Sequence, residues 1–251
     1  SYIFSQKNII IVIGQDGLVA NTAKYSKGIP MVAINPDKLR YDGILLPFDP
    51  LNFIIGVDTV MQNQQKVRNV RFAEAKLNDG QSLLAFNDLF IGPSSHVSAR
   101  YKITFAGNTE EHSSSGLIVS TAAGATGWLS SIFNMAYGIS DRFNPPKNPN
   151  QSKSNQKTNP QQDRQPIQHN RPHVKDDELL FAVREPFKSI RTQASIVAGL
   201  VNNNQQLVIE SLMPSKGIIF SDGVESDFMN FNSGSIATIG IASNSANIVI
   251  A

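Results

Sequence analysis

The chain has 251 residues, 41% of them hydrophobic, enough to fill one large core or two ordinary ones. A net charge of +2, with no dense Lys/Arg block, argues against a nucleic acid or a membrane surface as partner. The absence of cysteine excludes a disulfide scaffold, a thiolate metal site and a cysteine nucleophile, and none of the scattered His96, His112, His169 and His173 sits at metal-ligand spacing with a carboxylate partner, so no zinc site is expected.

The N-terminus lacks the charged and apolar regions of a signal peptide, and no run of about 18 apolar residues follows. A cytoplasmic protein is therefore expected. Lys7 to Ile13 is a β-branched run with no polar alternation, which predicts a strand buried on both faces. It stops at Gly14-Gln15-Asp16-Gly17. Leu18 to Lys27 reads as a short helix closed by Gly28, and Ile29 to Ile34 as a second buried strand, making a βαβ unit. Residues 37–85 alternate more loosely, with a helix expected near Leu51 to Gln62.

From Phe86 the texture changes. Ser98 to Phe105 suits a half-buried strand with Tyr101, Ile103 and Phe105 inward, and Leu117 to Thr121 another strand. A glycine-rich turn and a helix to about Tyr137 come next. Residues 144–178 are rich in Asn, Gln, Pro, Ser and Lys, which predicts a disordered surface insertion. Short strands are then expected near 179–184, 195–200, 206–211, 217–220, 235–241 and 247–250. The pattern predicts an α/β domain over 1–85 and a mainly antiparallel β domain over 86–251.

Three local features can carry chemistry. Gly14 and Gly17 let backbone approach a phosphate at the carboxyl end of a strand, where open α/β sheets bind ligands. Asp16 between them would repel that phosphate unless it had another task, such as accepting a proton from an attacking hydroxyl. A plain Asp-Gly turn is the alternative. Next, Gly116 to Trp128 crowds small residues into a strand-to-helix turn, with the hydroxyls of Thr126 and nearby Ser131. That leaves room for a flat ligand, but tight helix–strand packing needs small residues too. Finally, Asn87-Asp88 is a polar pair between apolar neighbours, suited to ribose hydroxyls and equally to capping a turn.

In chain order these features resemble the ATP-dependent NAD kinase family: Gly-x-Asp-Gly, then Asn-acidic, then Ser-Gly-Leu-Ile-x-x-Thr-x-x-Gly-x-Thr-x-aromatic. The mitochondrial type and its bacterial relatives are the closer likeness, through Ile34-Asn35-Pro36-Asp37, Gly43 to Pro47, Phe90-Ile91-Gly92, Ser113 to Leu117, Phe181 to Pro186 and Asp222-Gly223. The resemblance implies an α/β nucleotide domain followed by a β-rich domain, with NAD between them. It implies that Asp16 activates the adenosine 2′-hydroxyl of NAD for attack on the γ-phosphate of ATP, with Mg²⁺ carried on the ATP. Asn87 and Asp88 would bind NAD hydroxyls and the diphosphate region. Thr126, Gly127 and Ser131 would receive adenine, and Ser115 stands where a nicotinamide contact falls. The family's homo-oligomers imply at least a dimer.

The sequence departs from the family at Gln15, Leu18, Asp88, Ala123, Ala125 and Trp128, and Gln15 could crowd a triphosphate. Only thirteen residues precede Gly14, so the natural N-terminal segment is expected to be missing. Two other functions fit the residues: a lipid or sugar kinase with a similar glycine turn, and a nucleotide-binding protein that has lost catalysis.

Overall fold

The computed structural model describes residues 4–5, 7–41, 43–143, 172–224 and 227–250. The expected polar insertion therefore lies, over 144–171, outside the described residues. Its end is not free of the core, since Val174 is buried.

The N-terminal third is the expected β–α–β unit: β1 (Ile10–Ile13), α1 (Asp16–Ala23) and β2 (Pro30–Ile34), followed by α2 (Phe53–Met61). β1 and β2 are parallel, with Ile10 opposite Met31. β2 is buried because helices cover both of its faces. Val19, Ala20 and Ala23 of α1 pack with Met31 and Ala33, whereas Val32 and Ile34 meet Phe48 and the α2 residues Phe53, Val57 and Val60. Two expectations are corrected here. β1 is an edge strand whose Ile11 and Ile13 are exposed, not a strand buried on both faces. α1 ends at Ala23, so Gly28, with φ 78°, closes a later turn rather than the helix.

The remaining strands are β3 (Val67–Leu77), β4 (Ser82–Ala85), β5 (Asp88–Pro93), β6 (Ala99–Phe105), β7 (Asn108–Ser114), β8 (Leu117–Ser120), β9 (Leu179–Val183), β10 (Ala198–Val201), β11 (Leu207–Ser211), β12 (Gly217–Ser221), β13 (Phe228–Asn230) and β14 (Ile236–Val249). The helix α3 (Trp128–Phe143) follows β8. The two short strands expected near 235–241 and 247–250 are one long strand, β14, carried through an irregularity between Ile241 and Ser245. Along one edge β14 pairs with β3 throughout; along the other it pairs first with β11 and then, in parallel, with β2. The first sheet thus joins the parallel pair to an antiparallel region ending in β6 and β7.

A second, antiparallel sheet runs β10-β9-β8-β5-β12-β13. The two sheets bury one shared core, with Tyr101, Ile103, Ile209 and Ile239 against Leu89, Ile91, Val119, Phe181 and Ile219. On its outer face α3 covers Phe90, Ile118 and Phe220 with Trp128 and Ile132, and Leu180 and Ala182 with Leu129. Central strands covered on both faces have no polar alternation, which is why β5, β8, β9 and β12 are buried at every position. The molecule is a mixed α/β fold of two sheets and few helices. No described helix is long and apolar enough to cross a membrane.

Candidate nucleotide site

Asp16 is the first residue of α1, and its carboxylate Oδ1 accepts the Leu45 N–H at 2.6 Å. Oδ2 takes no bond from a described residue. The side chain therefore has a fixed direction and one free oxygen. It lines a cavity of about 300 Å³ together with Asn87, Asp88, Thr126 and Gly127. Asn87 and Asp88 are brought beside the turn that holds Thr126 and Gly127 because β5 and β8 are paired, Asp88 opposite Ser120. The start of α1 then faces the ends of both strands.

The segment Phe86–Asp88 is held from two sides. Thr121 Oγ1 donates to the Phe86 carbonyl at 2.6 Å, and the Thr121 N–H to the Asn87 carbonyl at 2.9 Å. From the other side Asp222, in the turn after β12, accepts the N–H groups of Phe86, Asn87 and Asp88 at 3.1, 2.6 and 3.4 Å. With its backbone satisfied in this way, Asn87 presents a side-chain amide that makes no hydrogen bond to a described residue. A half-buried amide without a partner is suited to the edge of a ligand.

Asp88 is buried, its carboxylate likewise takes no hydrogen bond from a described residue, and its pKa is pushed up to about 6 by burial and by the negative charge of Asp222. An unpaired carboxylate with a raised pKa in a cleft is a mark of function. Asp222 is itself neutralised by Lys24 at the C-cap of α1. Lys24 Nζ lies 3.3 Å from Asp222 Oδ2 and donates to Ser221 Oγ at 3.0 Å. α1 is thus anchored at both ends, by Asp16 to Leu45 and by Lys24 to the Asp222 turn.

Gly124 shows why the small-residue turn is small. A Cβ there would collide with the Asn87 carbonyl oxygen, so only glycine lets the turn close over the Asn87 strand. Gly127 differs, because a Cβ would find only the Gly124 carbonyl oxygen at 3.4 Å. Space at Gly127 is left for something other than protein.

Not every candidate residue joins this cavity. Gly14 and Gly17 flank Asp16 in the chain but do not line it, and a Cβ on Gly17 would meet open space. Gln15 does not line it either. Ser131 is an exposed residue of α3, its N–H donating to the Gly127 carbonyl at 3.3 Å. Ser115 lines a different, larger cavity of about 910 Å³, beside Phe90, Trp128 and Arg184. There the Phe90 and Trp128 rings stack at 5.7 Å, with the Arg184 guanidinium 5.4 Å from the Trp128 ring. Sequence reasoning passed over Lys24 and Arg68, and it quoted Asp222 without giving it a role. An Asp-Gly pair after a buried strand was the available signal for Asp222.

No family model matches the chain. It is 26% identical to an NAD kinase of Chlorobaculum tepidum over 121 residues, covering 47% of this chain and 42% of that protein. It is 28% identical to an NAD kinase of Heliobacterium modesticaldum over 132 residues, covering 49% and 45%. The matches span less than half the length of these curated relatives. Among solved structures, yeast NADH kinase complexed with NADH superimposes with a TM-score of 0.67 at 15% identity, over 98% of this chain and 62% of that one. The fold is that of the NAD kinases. An NAD kinase from Archaeoglobus fulgidus in complex with ATP agrees, with a TM-score of 0.61 at 16% identity over 96% and 77% of the two chains.

Proposed function

We propose that the chain is an NAD kinase, transferring the γ-phosphate of ATP to the adenosine 2′-hydroxyl of NAD to give NADP. The observation that carries this reading is the single cavity in which Asp16 faces Asn87, Asp88, Thr126 and Gly127. Its volume of about 300 Å³ suits an adenosine-sized fragment. Adenine lies against Thr126 and Gly127, with Ser131 at the margin. Asn87 and Asp88 hold ribose hydroxyls, and the open backbone at Gly17, in the same turn as Gly14, leaves room for phosphates. Ser115, in the aromatic cavity, serves the nicotinamide end.

In this reading the 2′-hydroxyl gives its proton to Asp16 Oδ2 as the oxygen attacks the γ-phosphorus. The bond from that phosphorus to the β,γ-bridging oxygen breaks, and ADP leaves with the electron pair. Asp16 Oδ1 stays on the Leu45 N–H, so the base keeps its aim while its other oxygen accepts the proton. Among the described residues no group of three His, Asp or Glu side chains is placed to hold a metal. Two carboxylates in one cavity nevertheless suit a hard cation shared with substrate phosphates. Mg²⁺ arriving on ATP supplies charge neutralisation, and the protein supplies position and the base.

Likeness in sequence and fold to NAD kinases supports the same reading. We place the enzyme in the cytoplasm as a homo-oligomer, the exposed Phe187, Ile190 and Phe228 offering apolar surface to a second copy. The test is direct: NADP formation from NAD and Mg-ATP by the full chain, followed by absorbance in an NADP-specific dehydrogenase assay. Binding of both nucleotides with no NADP formed would overturn the enzymatic part of the proposal.

A further inference from the structure

Arg68 stands on the same side of β3 as a row of buried apolar residues but is itself exposed. Along the first half of β3, Arg68, Val70 and Phe72 point to one face and Asn69 and Arg71 to the other. Val70 and Phe72 are buried in the core that also holds Leu45 and Phe86. Asn69 instead reaches across the outer face, its amide donating to Ser245 Oγ at 2.8 Å and Asn247 Oδ1 at 2.9 Å. The apolar row therefore ends at Val70, and the next side chain on that side, Arg68, lines the cavity beside Asp16, Asn87 and Asp88.

Arg68 has no side-chain hydrogen bond and no ion pair with a described residue. Among the described residues lining the cavity it is the one cation, against the two carboxylates of Asp16 and Asp88. Neither carboxylate has been drawn onto it: Asp16 is turned to the Leu45 N–H, and Asp88 is without a partner. A guanidinium is a rigid fork of five donors that matches phosphate oxygens two at a time. Nucleotide phosphates entering a cavity with two carboxylates need positive charge beside them, and the exposed Arg68 lining the cavity is placed to provide it.

We propose that Arg68 is the phosphate-binding side chain of this cavity, gripping the phosphate chain of the bound nucleotide through its guanidinium. This rests on the reading of the cavity as a nucleotide site. It adds a residue from outside the glycine turns and a specificity: phosphorylated nucleotides over nucleosides.

The test uses Arg68→Met, which keeps length and apolar stem but removes the charge, with Arg68→Lys as a second variant. Arg71→Met is the control, since Arg71 is the outward-facing arginine of the same strand. Binding of adenosine, ADP, NAD and Mg-ATP to the full chain is followed by the fluorescence of its one tryptophan, Trp128, next to Gly127. Arg68→Met weakens ADP by at least about tenfold and leaves adenosine within twofold, as expected for loss of a bidentate charged contact. Arg68→Lys falls between, because charge remains without the fork, and Arg71→Met binds like the parent. Greater weakening of NAD than of Mg-ATP places Arg68 on the acceptor's diphosphate, and the reverse places it on the donor.

Equal loss for adenosine and ADP, or no loss for either, overturns the assignment of Arg68 while leaving the nucleotide reading standing. A parent chain that binds none of the four probes overturns the nucleotide reading itself, and the Arg68 proposal with it.

Discussion

Replacing Lys24 by Met tests whether the ion pair behind the site holds it together. Lys24 and Asp222 side chains are only 6% and 3% exposed, and their charged atoms are 3.3 Å apart. Met fills most of the lysine's volume, so the change removes charge and one hydrogen bond rather than packing. It strands the Asp222 carboxylate away from water with three backbone N–H donors. Breaking a buried pair from one side costs about 3–5 kcal/mol, and the three remaining donors place this case toward the lower figure. For a chain of this size about 3 kcal/mol corresponds to a fall of about 6–12 °C in melting temperature. Urea unfolding of the parent, Lys24→Met, Asp222→Asn and the double variant gives the coupling directly. The double variant should be more stable than the sum of the two single losses implies, because neither charge is then left alone. A loss below about 1 kcal/mol for Lys24→Met, or additive losses, would show that the pair is not the structural link inferred here.

Three further outcomes are expected. Asp16→Asn keeps an oxygen for the Leu45 N–H but removes the base, so turnover of NAD with Mg-ATP falls at least about a hundredfold, with NAD affinity and melting temperature little changed. Near-normal turnover would make Asp16 a turn residue. Gly127→Leu has room at Cβ and fills the space assigned to adenine, so equilibrium titration should show NAD binding at least about tenfold weaker in a folded protein; unchanged affinity would move adenine elsewhere. Asp88→Asn removes a carboxyl whose pKa is raised from 3.8 to about 6, a shift that opposes folding as pH rises through that window. The variant should gain up to about 3 kcal/mol over the parent at pH 8 and nothing at pH 3, read from urea unfolding at the two values.

Much of this was legible because local chemistry and fold agree at particular residues. β5 and β8 read as apolar runs because each is covered on both faces. The Ile run of β1 read the same way and misled, since hydrophobicity does not tell a central strand from an edge strand. β3 went unseen for a different reason. Its buried residues are Val70 and Phe72, then Ala73, Ala75 and Leu77, so the alternation changes phase midway. That change lies opposite the irregularity between Ile241 and Ser245 in β14, where the polar Ser-Asn-Ser segment also made one long strand look like two. A period-two search fails at a bulge, where one strand carries extra residues against its partner.

The site divides along the same line. Asp16, Asn87 and Asp88 could be picked out because each is a polar residue at the end of an apolar strand, next to residues that permit a turn. Lys24 and Arg68 each stand near other basic residues in the sequence, Lys27 in one case and Lys66 and Arg71 in the other, and only three-dimensional placement singles them out. The fold also ties the two groups electrostatically. Asp222 orders Phe86 to Asp88 by accepting their N–H groups, and in doing so it brings a carboxylate close to Asp88. The same charge helps to raise the pKa of Asp88. Lys24 neutralises Asp222 from the far side of the turn, 3.3 Å from Oδ2. An apolar residue at 24 would leave two carboxylates sharing one dry turn. The lysine that anchors α1 therefore also balances the carboxylate that helps to raise the pKa of Asp88.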